Sequence, residues 1–389
     1  MSAPAGGRDG AAFYTGRSFL TPAFKIDLGG RPMAAVAAGE VIDISFTDDL
    51  GSIPSFEFTI DDWDPVRLCP KYSSPDPGGS DRPSIRPGTR ADLYFGYRDE
   101  GELALVMEGE VISISTSFPA ASRPVATVRV VDRFQRGLQK VLVETNMDGT
   151  DKQIADSLCR QHSNPSLVPV WAPIEEEGTP QKKVQIDGVL YDEIAQRADR
   201  YGLKMATRYV VGRDAELHLF RPGADSDPPV AHFVWGKTLV SFTPSMSAAA
   251  AVERVICRGA DPTAKGAARA ISVSRTWSDI GLDEAALGGP GEGIDEALSG
   301  MSEVIKPDDV RTEADAIRAA DEHLRTLADE LITGEGVSIG LPELRAGRLV
   351  TIEGLGARFT GDYRLTKTVH SFGASGYITR FSVRKKVLK

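Results

Sequence analysis

Apolar and polar residues alternate with a period of two in six short runs near the start of the chain. These are AFKIDL (23–28), EVIDISF (40–46), SFEFTI (55–60), ADLYFGY (91–97), LALVMEGEVISIST (103–116) and VATVRVVD (125–132). Successive side chains of a strand point to opposite faces, so each run predicts a half-buried strand, and the turn residues between them predict an antiparallel sheet or small barrel. Residues 69–88, CPKYSSPDPGGSDRPSIRPG, interrupt the series and read as a long surface loop. Residues 1–19 read as a flexible N-terminus.

The period then changes. Thr150 and Gln153 have the capping-box spacing, and Ile154, Ala155, Leu158 and Cys159 make one apolar face of a helix ending near His162. A second helix is expected in GVLYDEIAQRADRYG, with Tyr191, Ile194, Ala195, Ala198 and Tyr201 on its stripe and Gly202 as its stop. Two strands follow, LKMATRYV and AELHLF, joined by a turn at VGRD. Strand patterning returns from 232 to 259. The Gly-, Pro- and acid-rich stretch 260–308 predicts a loop with little core of its own. Thr312 and Asp315 can cap a further helix with Ala314, Ile317, Ala320, Leu324, Leu327 and Leu331 on one face, ended by Gly334.

An internal echo links the two ends. Gly88-TRADLYF-Gly96 with Gly109-EVISI, and Gly347-RLVTIE-Gly354 with Gly361-DYRLT, both read glycine, strand, glycine, turn, glycine, strand. The expected fold is therefore α+β, mainly β. Two similar antiparallel β-barrel domains occupy 20–145 and 232–389, with an α+β region at 146–231 between them; the acidic loop 260–308 and the helix 312–332 fall in the second.

Composition narrows the classes. Of 389 residues, 41% are hydrophobic and 26% charged, a length and balance sufficient for a sizeable core. No apolar run approaches the ~20 residues of a membrane-spanning helix, and the start lacks signal-peptide character, so synthesis and folding in the cytoplasm are expected. Cys69, Cys159 and Cys257 stand far apart, which indicates neither disulfides nor a zinc site. A net charge of −10 argues against nucleic-acid binding. Its distribution is uneven: Asp279 to Glu330 holds fifteen acidic and four basic residues, whereas Arg364 to Lys389 holds seven Lys or Arg and no acid. Such segregation fits a self-complementary or stacked assembly, or a solvated acidic loop.

Candidate chemistry is sparse. His370 and Ser371 are neighbours in a strand pattern and point to opposite faces, so they cannot form a nucleophile and base pair. Cys159 and His162 lack further zinc ligands. Asp61-Asp62-Trp63-Asp64 lacks the rest of a calcium loop and reads as a solvated turn. GGPGEG (288–293) and GLGARFTG (354–361) lack the Lys-Ser/Thr ending of a phosphate loop. No catalytic residue, cofactor or metal is implied, although a sugar-cleaving carboxylate pair needs no fixed spacing.

Three blocks carry a resemblance: GTRADLYFGY…LVMEGEVISISTSF…VRVVDRF (88–134), YDEIAQRADRYGLKM (191–205) and TGEGVSIGLPELRAGRLVTIEGLGARFTGDYRLTKTVHSFGASGYITRF (333–381). With them the chain resembles the phage late control protein D family, the central baseplate hubs of contractile phage tails, tailocins and extracellular contractile injection systems. The resemblance implies a non-enzymatic homotrimer that adapts a hexameric inner tube protein to a trimeric spike protein, in company with other baseplate components. It implies no nucleic-acid partner and no direct membrane insertion, with assembly into a phage tail-like particle. The chain ends without a fused spike, so a separate one is expected. Rival readings are the hub of a phage or prophage tail and a tail-associated cell-wall hydrolase.

The last basic stretch reads as a closing hairpin of the second barrel, turning at Gly373-Ala-Ser-Gly376. Tyr377, Phe381 and Val383 are expected to face the core, and Arg380, Arg384, Lys385 and Lys386 to face outward as a partner contact.

Overall fold

The structure, a computed structural model, describes residues 17–74, 84–163, 167–174, 180–209, 215–221, 228–249, 251–261, 263–264, 266–283, 300–307 and 310–388. The expected N-terminal flexibility up to residue 16, the VGRD turn, the GGPGEG stretch and residues 284–299 of the acidic stretch lie outside the described residues. The chain forms two compact units. One comprises Met1–Ser226, Ser338–Arg348 and Thr366–Phe381; the other comprises Asp227–Val337, Leu349–Leu365 and Ser382–Lys389.

In the first unit every alternating run forms its strand. These are β1 (Pro22–Leu28), the two-residue β2 (Arg31–Pro32), β3 (Val41–Asp49), β4 (Ser52–Asp61), the short pair β5 (Trp63–Asp64) and β6 (Cys69–Pro70), β7 (Arg90–Tyr97), β8 (Ala104–Ser117) and β9 (Val125–Asp132). A short helix, α1 (Ala35–Gly39), precedes β3. The strand order is β3-β4-β9-β8-β7-β1, antiparallel throughout. Register explains the core: Phe46 lies opposite Phe56, and Phe56 opposite Val130, so one row of inward positions is apolar across three strands. Phe46, Phe56, Phe58 and Phe95 are fully buried, each contributing about 1.5–3 kcal/mol of apolar transfer.

The α+β region follows within the same unit. Asp132 ends β9 and caps α2 (Arg133–Gln139), accepting from the backbone N–H groups of Phe134 (2.9 Å) and Gln135 (2.8 Å). A ribbon of β10 (Leu142–Gly149) and β12 (Gln181–Val189) flanks α3 (Asp151–His162), which carries the expected Thr150–Gln153 capping box. The short β11 (Val168–Trp171) lies in this stretch as well. After α4 (Leu190–Asp199), Gly202 adopts a φ of +64°, and β13 (Lys204–Arg208) and β14 (Glu216–Phe220) form a sheet of order β11-β14-β13. The α4 stripe is displaced from expectation: Leu190, Ile194, Arg197 and Ala198 are buried, while Tyr191 and Ala195 are only partly so. Arg197 tolerates burial because it donates to the Glu193 carbonyl and carboxylate.

The second unit contains β15 (Ala231–Val234), β16 (Leu239–Met246), β17 (Arg254–Ala260), β18 (Ala270–Thr276), β19 (Ser302–Ile305), the 19-residue helix α5 (Glu313–Leu331), β20 (Ile332–Ile339), β21 (Leu349–Glu353) and the single turn α6 (Gly356–Phe359). Parts of the stretch expected to be loop are therefore structured. The strands β18, β17 and β19 form one sheet, to which α5 is tied by Arg275 donating to both oxygens of Asp321 at 2.6 and 3.0 Å. The Thr312–Asp315 capping box forms as expected. The buried row of α5 is Ala316, Ala320, Leu324, Ala328 and Leu331, whereas Ala314 is exposed. Small alanines let the helix approach its sheet, which the larger Ile317 and Leu327 would not. Gly334 does not end the helix. It lies inside β20, where a Cβ would stand 2.5 Å from the Phe242 ring.

The echo becomes topology. The last strands are β22 (Gly361–Gly373) and β23 (Gly376–Lys385), and the strand order β16-β20-β23-β22 continues through β21 to β15. This repeats β3-β4-β9-β8-β7-β1 position for position, with β7–β8 matching β21–β22 and the preceding Gly88 and Gly347 at φ +87° and +85°. One pairing departs: β15 lies parallel to β21, whereas β1 is antiparallel to β7. The terminal hairpin also belongs to both units. Its Lys367–Phe372 portion pairs with Asp49–Ile44 in the first, while Leu349–Ile352 pairs with Arg364–Gly361 in the second. The expected four-residue connection contracts to Ala374-Ser375, since both glycines are strand ends.

Within the first unit, Ser338–Arg348 packs against Thr366–Phe381. The Gly340 N–H donates to the Tyr377 carbonyl (2.9 Å), and the Tyr97 hydroxyl donates to the Gly340 carbonyl (2.8 Å). A Cβ at Gly340 would stand 2.1 Å from Tyr377 Cγ, and that ring is already packed 4.9 Å from Phe95. Gly340→Ala is expected to destabilise the first unit by about 1–3 kcal/mol in chemical unfolding, because the ring has no free space to retreat into.

Candidate partner-contact surface

The four basic residues singled out in the terminal hairpin separate into three environments. Positions 377, 379, 381, 383 and 385 of β23 share one face, and all are buried. Lys385 belongs to this inward set, only 2% exposed, and its ammonium donates to the Arg358 carbonyl (2.7 Å). Burial pulls its pKa below the ordinary lysine value, opposed by the charge of Asp283. The expectation that Lys385 faces outward is corrected: alternation prevails, and a carbonyl at the end of its stem satisfies the charge.

Arg384 does face outward, and Glu330 of α5 accepts from its guanidinium. One residue earlier on that helix, Asp329 accepts from Arg364 at 2.6 Å. The positive charge of the hairpin is thus not unopposed, because the acidic helix next to it in the fold neutralises part of it. Lys386 is half-buried, with its N–H donating to the Asp362 carbonyl (2.9 Å). Arg380 is exposed on the outward face and has no ion-pair partner among the described residues.

The histidine next to Ser371 is a core group. His370 is fully buried, its Nε2–H donating to the Leu344 carbonyl (2.8 Å), while Nδ1 accepts from the hydroxyls of Tyr377 (2.9 Å) and Thr379 (3.1 Å). Burial pushes its pKa down to about 4, with Arg345 adding to the effect, so at neutral pH it is an uncharged hydrogen-bonding node. Ser371 pairs with Ser45 on the other face of the strand.

The acidic turn is likewise structural. Asp62, expected to be solvated, is 1% exposed and accepts from the backbone N–H groups of Tyr72 (2.6 Å) and Ser73 (3.2 Å). Asp61 pairs with Lys71 and Arg123, and Glu40 accepts from Lys71 and the Tyr72 hydroxyl. Those contacts, together with buried Tyr72 and Ile85, pin both ends of the 69–88 segment to the barrel, so it is not a simple surface loop. Two features escaped sequence reasoning. Tyr209 reaches Asp132, whose pKa burial raises despite the hydrogen bonds it accepts, and Arg345 pairs with Asp48; nothing in the local sequence marks either pair.

Cys159 is buried and its thiol is pushed up to about 11 by burial, unsuited to act as a thiolate ligand or nucleophile. Among the described residues no group of three or more His, Cys, Asp or Glu could hold a metal ion. Among them, too, no helix is long and apolar enough to cross a membrane.

The architecture has clear counterparts. The 43 kDa tail protein of prophage MuSo2 from Shewanella oneidensis superposes with a TM-score of 0.64 at 16% identity, covering 94% of this chain and 98% of that one. A tail protein from Neisseria meningitidis MC58 gives 0.61 at 14% identity, covering 95% and 98%. A chain of the lidded Francisella PdpA-VgrG complex gives 0.54 at 9%, covering 94% of this chain and 53% of that one. The protein therefore has the fold of phage tail proteins, mainly β with a large antiparallel sheet. It belongs to the family described as the Alg8 N-terminal domain, whose profile matches residues 20–373. No curated protein matches it in sequence.

Substitutions at Lys385 separate packing from charge. Lys385→Met keeps the stem and is expected to change unfolding stability by less than about 1.5 kcal/mol. Lys385→Glu buries a carboxylate against the Arg358 carbonyl and is expected to cost several kcal/mol, about 3 or more, in the same measurement.

Proposed function

We propose that the protein is a non-enzymatic baseplate hub of a contractile injection system. It would act as a homotrimer between a hexameric inner tube and a trimeric spike, among other baseplate components, after synthesis in the cytoplasm. The observation that carries this reading is the repeated strand order, β3-β4-β9-β8-β7-β1 and β16-β20-β23-β22-β21-β15, in one chain. Two similar barrels per chain let three chains present six similar rims to a sixfold partner while retaining threefold symmetry for a spike. Fold similarity to phage tail proteins and to a chain of a VgrG complex supports a tail-associated structural role. The hub of a phage or prophage tail performs the same adaptation, and the prophage origin of the Shewanella counterpart favours keeping that reading beside the first.

Light scattering on the purified chain, alone and with a candidate spike protein, is expected to give a particle about three times the 41.8 kDa chain mass. A dimer unmoved by the spike would overturn the proposal. Arg380 is the residue of the hairpin most available for such contacts. Arg380→Glu is expected to weaken binding to the tube or spike protein by about tenfold, roughly 1.4 kcal/mol, without lowering the unfolding midpoint. Arg384→Glu, facing Glu330, would lower the midpoint as well.

A further inference from the structure

Three consecutive residues of the Ser338–Arg348 segment are held by two side chains, a histidine and a carboxylate, from neighbouring strands. On β22, His370 donates to the Leu344 carbonyl at 2.8 Å. On β3, Asp48 accepts from Arg345 Nε at 2.6 Å and from the Ala346 N–H at 3.3 Å. Arg345 also donates to the Val106 carbonyl (2.9 Å), and its guanidinium lies 5.0 Å from the Phe46 ring centroid. We infer that Leu344–Ala346 form an acid-released clasp, through which the Ser338–Arg348 segment detaches from the first unit on acidification before that unit's barrel unfolds.

The histidine hold weakens in acid. Protonating His370 places a second cation beside Arg345 in a dry site. The clasped imidazole has its pKa depressed from 6.5 to about 4, so a released segment with a solvated imidazole takes up a proton that the clasped form refuses. The clasp is therefore intact above the ordinary histidine pKa and weakens progressively as pH falls from 6.5 toward 4.

The other charged or titratable groups facing the site are few. Tyr377 and Thr379 present only hydroxyls to His370. Near Arg345, whose pKa burial lowers but Asp48 holds above its ordinary value, lie the neutral Tyr209 hydroxyl and Asp132, which burial raises to about 6 so that it loses its charge across the same pH range. Glu343 pairs with Arg17 at 2.9 Å. The segment is also held by buried Leu341, Pro342, Leu344 and Ala346, by Ser338 and Ile339 at the end of β20, by Gly340 through Tyr377 and Tyr97, and by the Leu341 N–H to the Thr379 hydroxyl. A segment of eleven residues with so short an apolar list is separable from a barrel whose core is a continuous aromatic set.

Hydrogen exchange on the full chain, expressed as protection factors between about pH 7 and about pH 4, tests this. Protection of Ser338–Arg348 is expected to fall at least about tenfold relative to Ser52–Asp61 of the barrel over that range. In His370→Gln, which keeps a donor for the Leu344 carbonyl but does not titrate in this range, the relative fall is expected to shrink to about threefold or less. Should the variant fail to fold, the wild type decides through the ring resonances of His370, whose titration is expected to coincide with release. Equal loss of protection in segment and barrel at every pH would overturn the inference, as would an unchanged fall in His370→Gln or a His370 titration that does not track release.

Discussion

A partly buried guanidinium sets the terms for the first unit. Arg345 arrives from a segment more than two hundred residues beyond the strands it meets, and it enters a space walled by Phe46, the Val106 carbonyl and Asp48. A cation in that environment is tolerable only if its partners are in place, because an unpaired buried charge costs about 3–5 kcal/mol. Asp48 therefore has to be delivered by β3, the carbonyl by β8 and the arginine by Ser338–Arg348, all at one point. The first unit is complete only when the distant segment is seated, which brings distant parts of the sequence together.

The same logic, at lower burial, governs the second unit. The sequence places fifteen acidic residues between Asp279 and Glu330 and an uninterrupted basic stretch after Arg364. Folding sets some of these against each other: Arg364 with Asp329, Arg384 with Glu330, Arg275 with Asp321. Charge segregation along the chain thus becomes partial neutralisation in space. Arg380, on the outward face of the hairpin, has no ion-pair partner among the described residues.

Three perturbed titrations trace to burial. His370 is neutral because it is dry, Asp132 is raised because it is dry despite capping α2, and Cys159 is a packed thiol. These groups satisfy backbone carbonyls, helix N–H groups and neighbouring hydroxyls. Such networks specify where strands and segments meet. In a chain whose two barrels share a strand order, they also make the copies inequivalent, since the Arg345 node occurs in the first alone among the described residues.

Local pattern was sufficient for the strands, for the capping boxes at Thr150 and Thr312, for the stop at Gly202 and for the echo that became a repeated topology, because period, cap and left-handed glycine are properties of a few adjacent residues. It was insufficient wherever a distant group determined the outcome. Gly334 looked like a helix stop, yet its absent side chain makes room for Phe242; Asp62 looked solvated, yet Tyr72 and Ser73 close over it. Lys385 is the clearest case. Alternation put it on the inward face, charge argued for water, and the conflict was resolved by a carbonyl at Arg358 that no reading of neighbouring residues could place there. Periodicity tells which way a side chain points; what waits for it at the far end depends on long-range packing, and the desolvation cost of a charge makes that partner decisive.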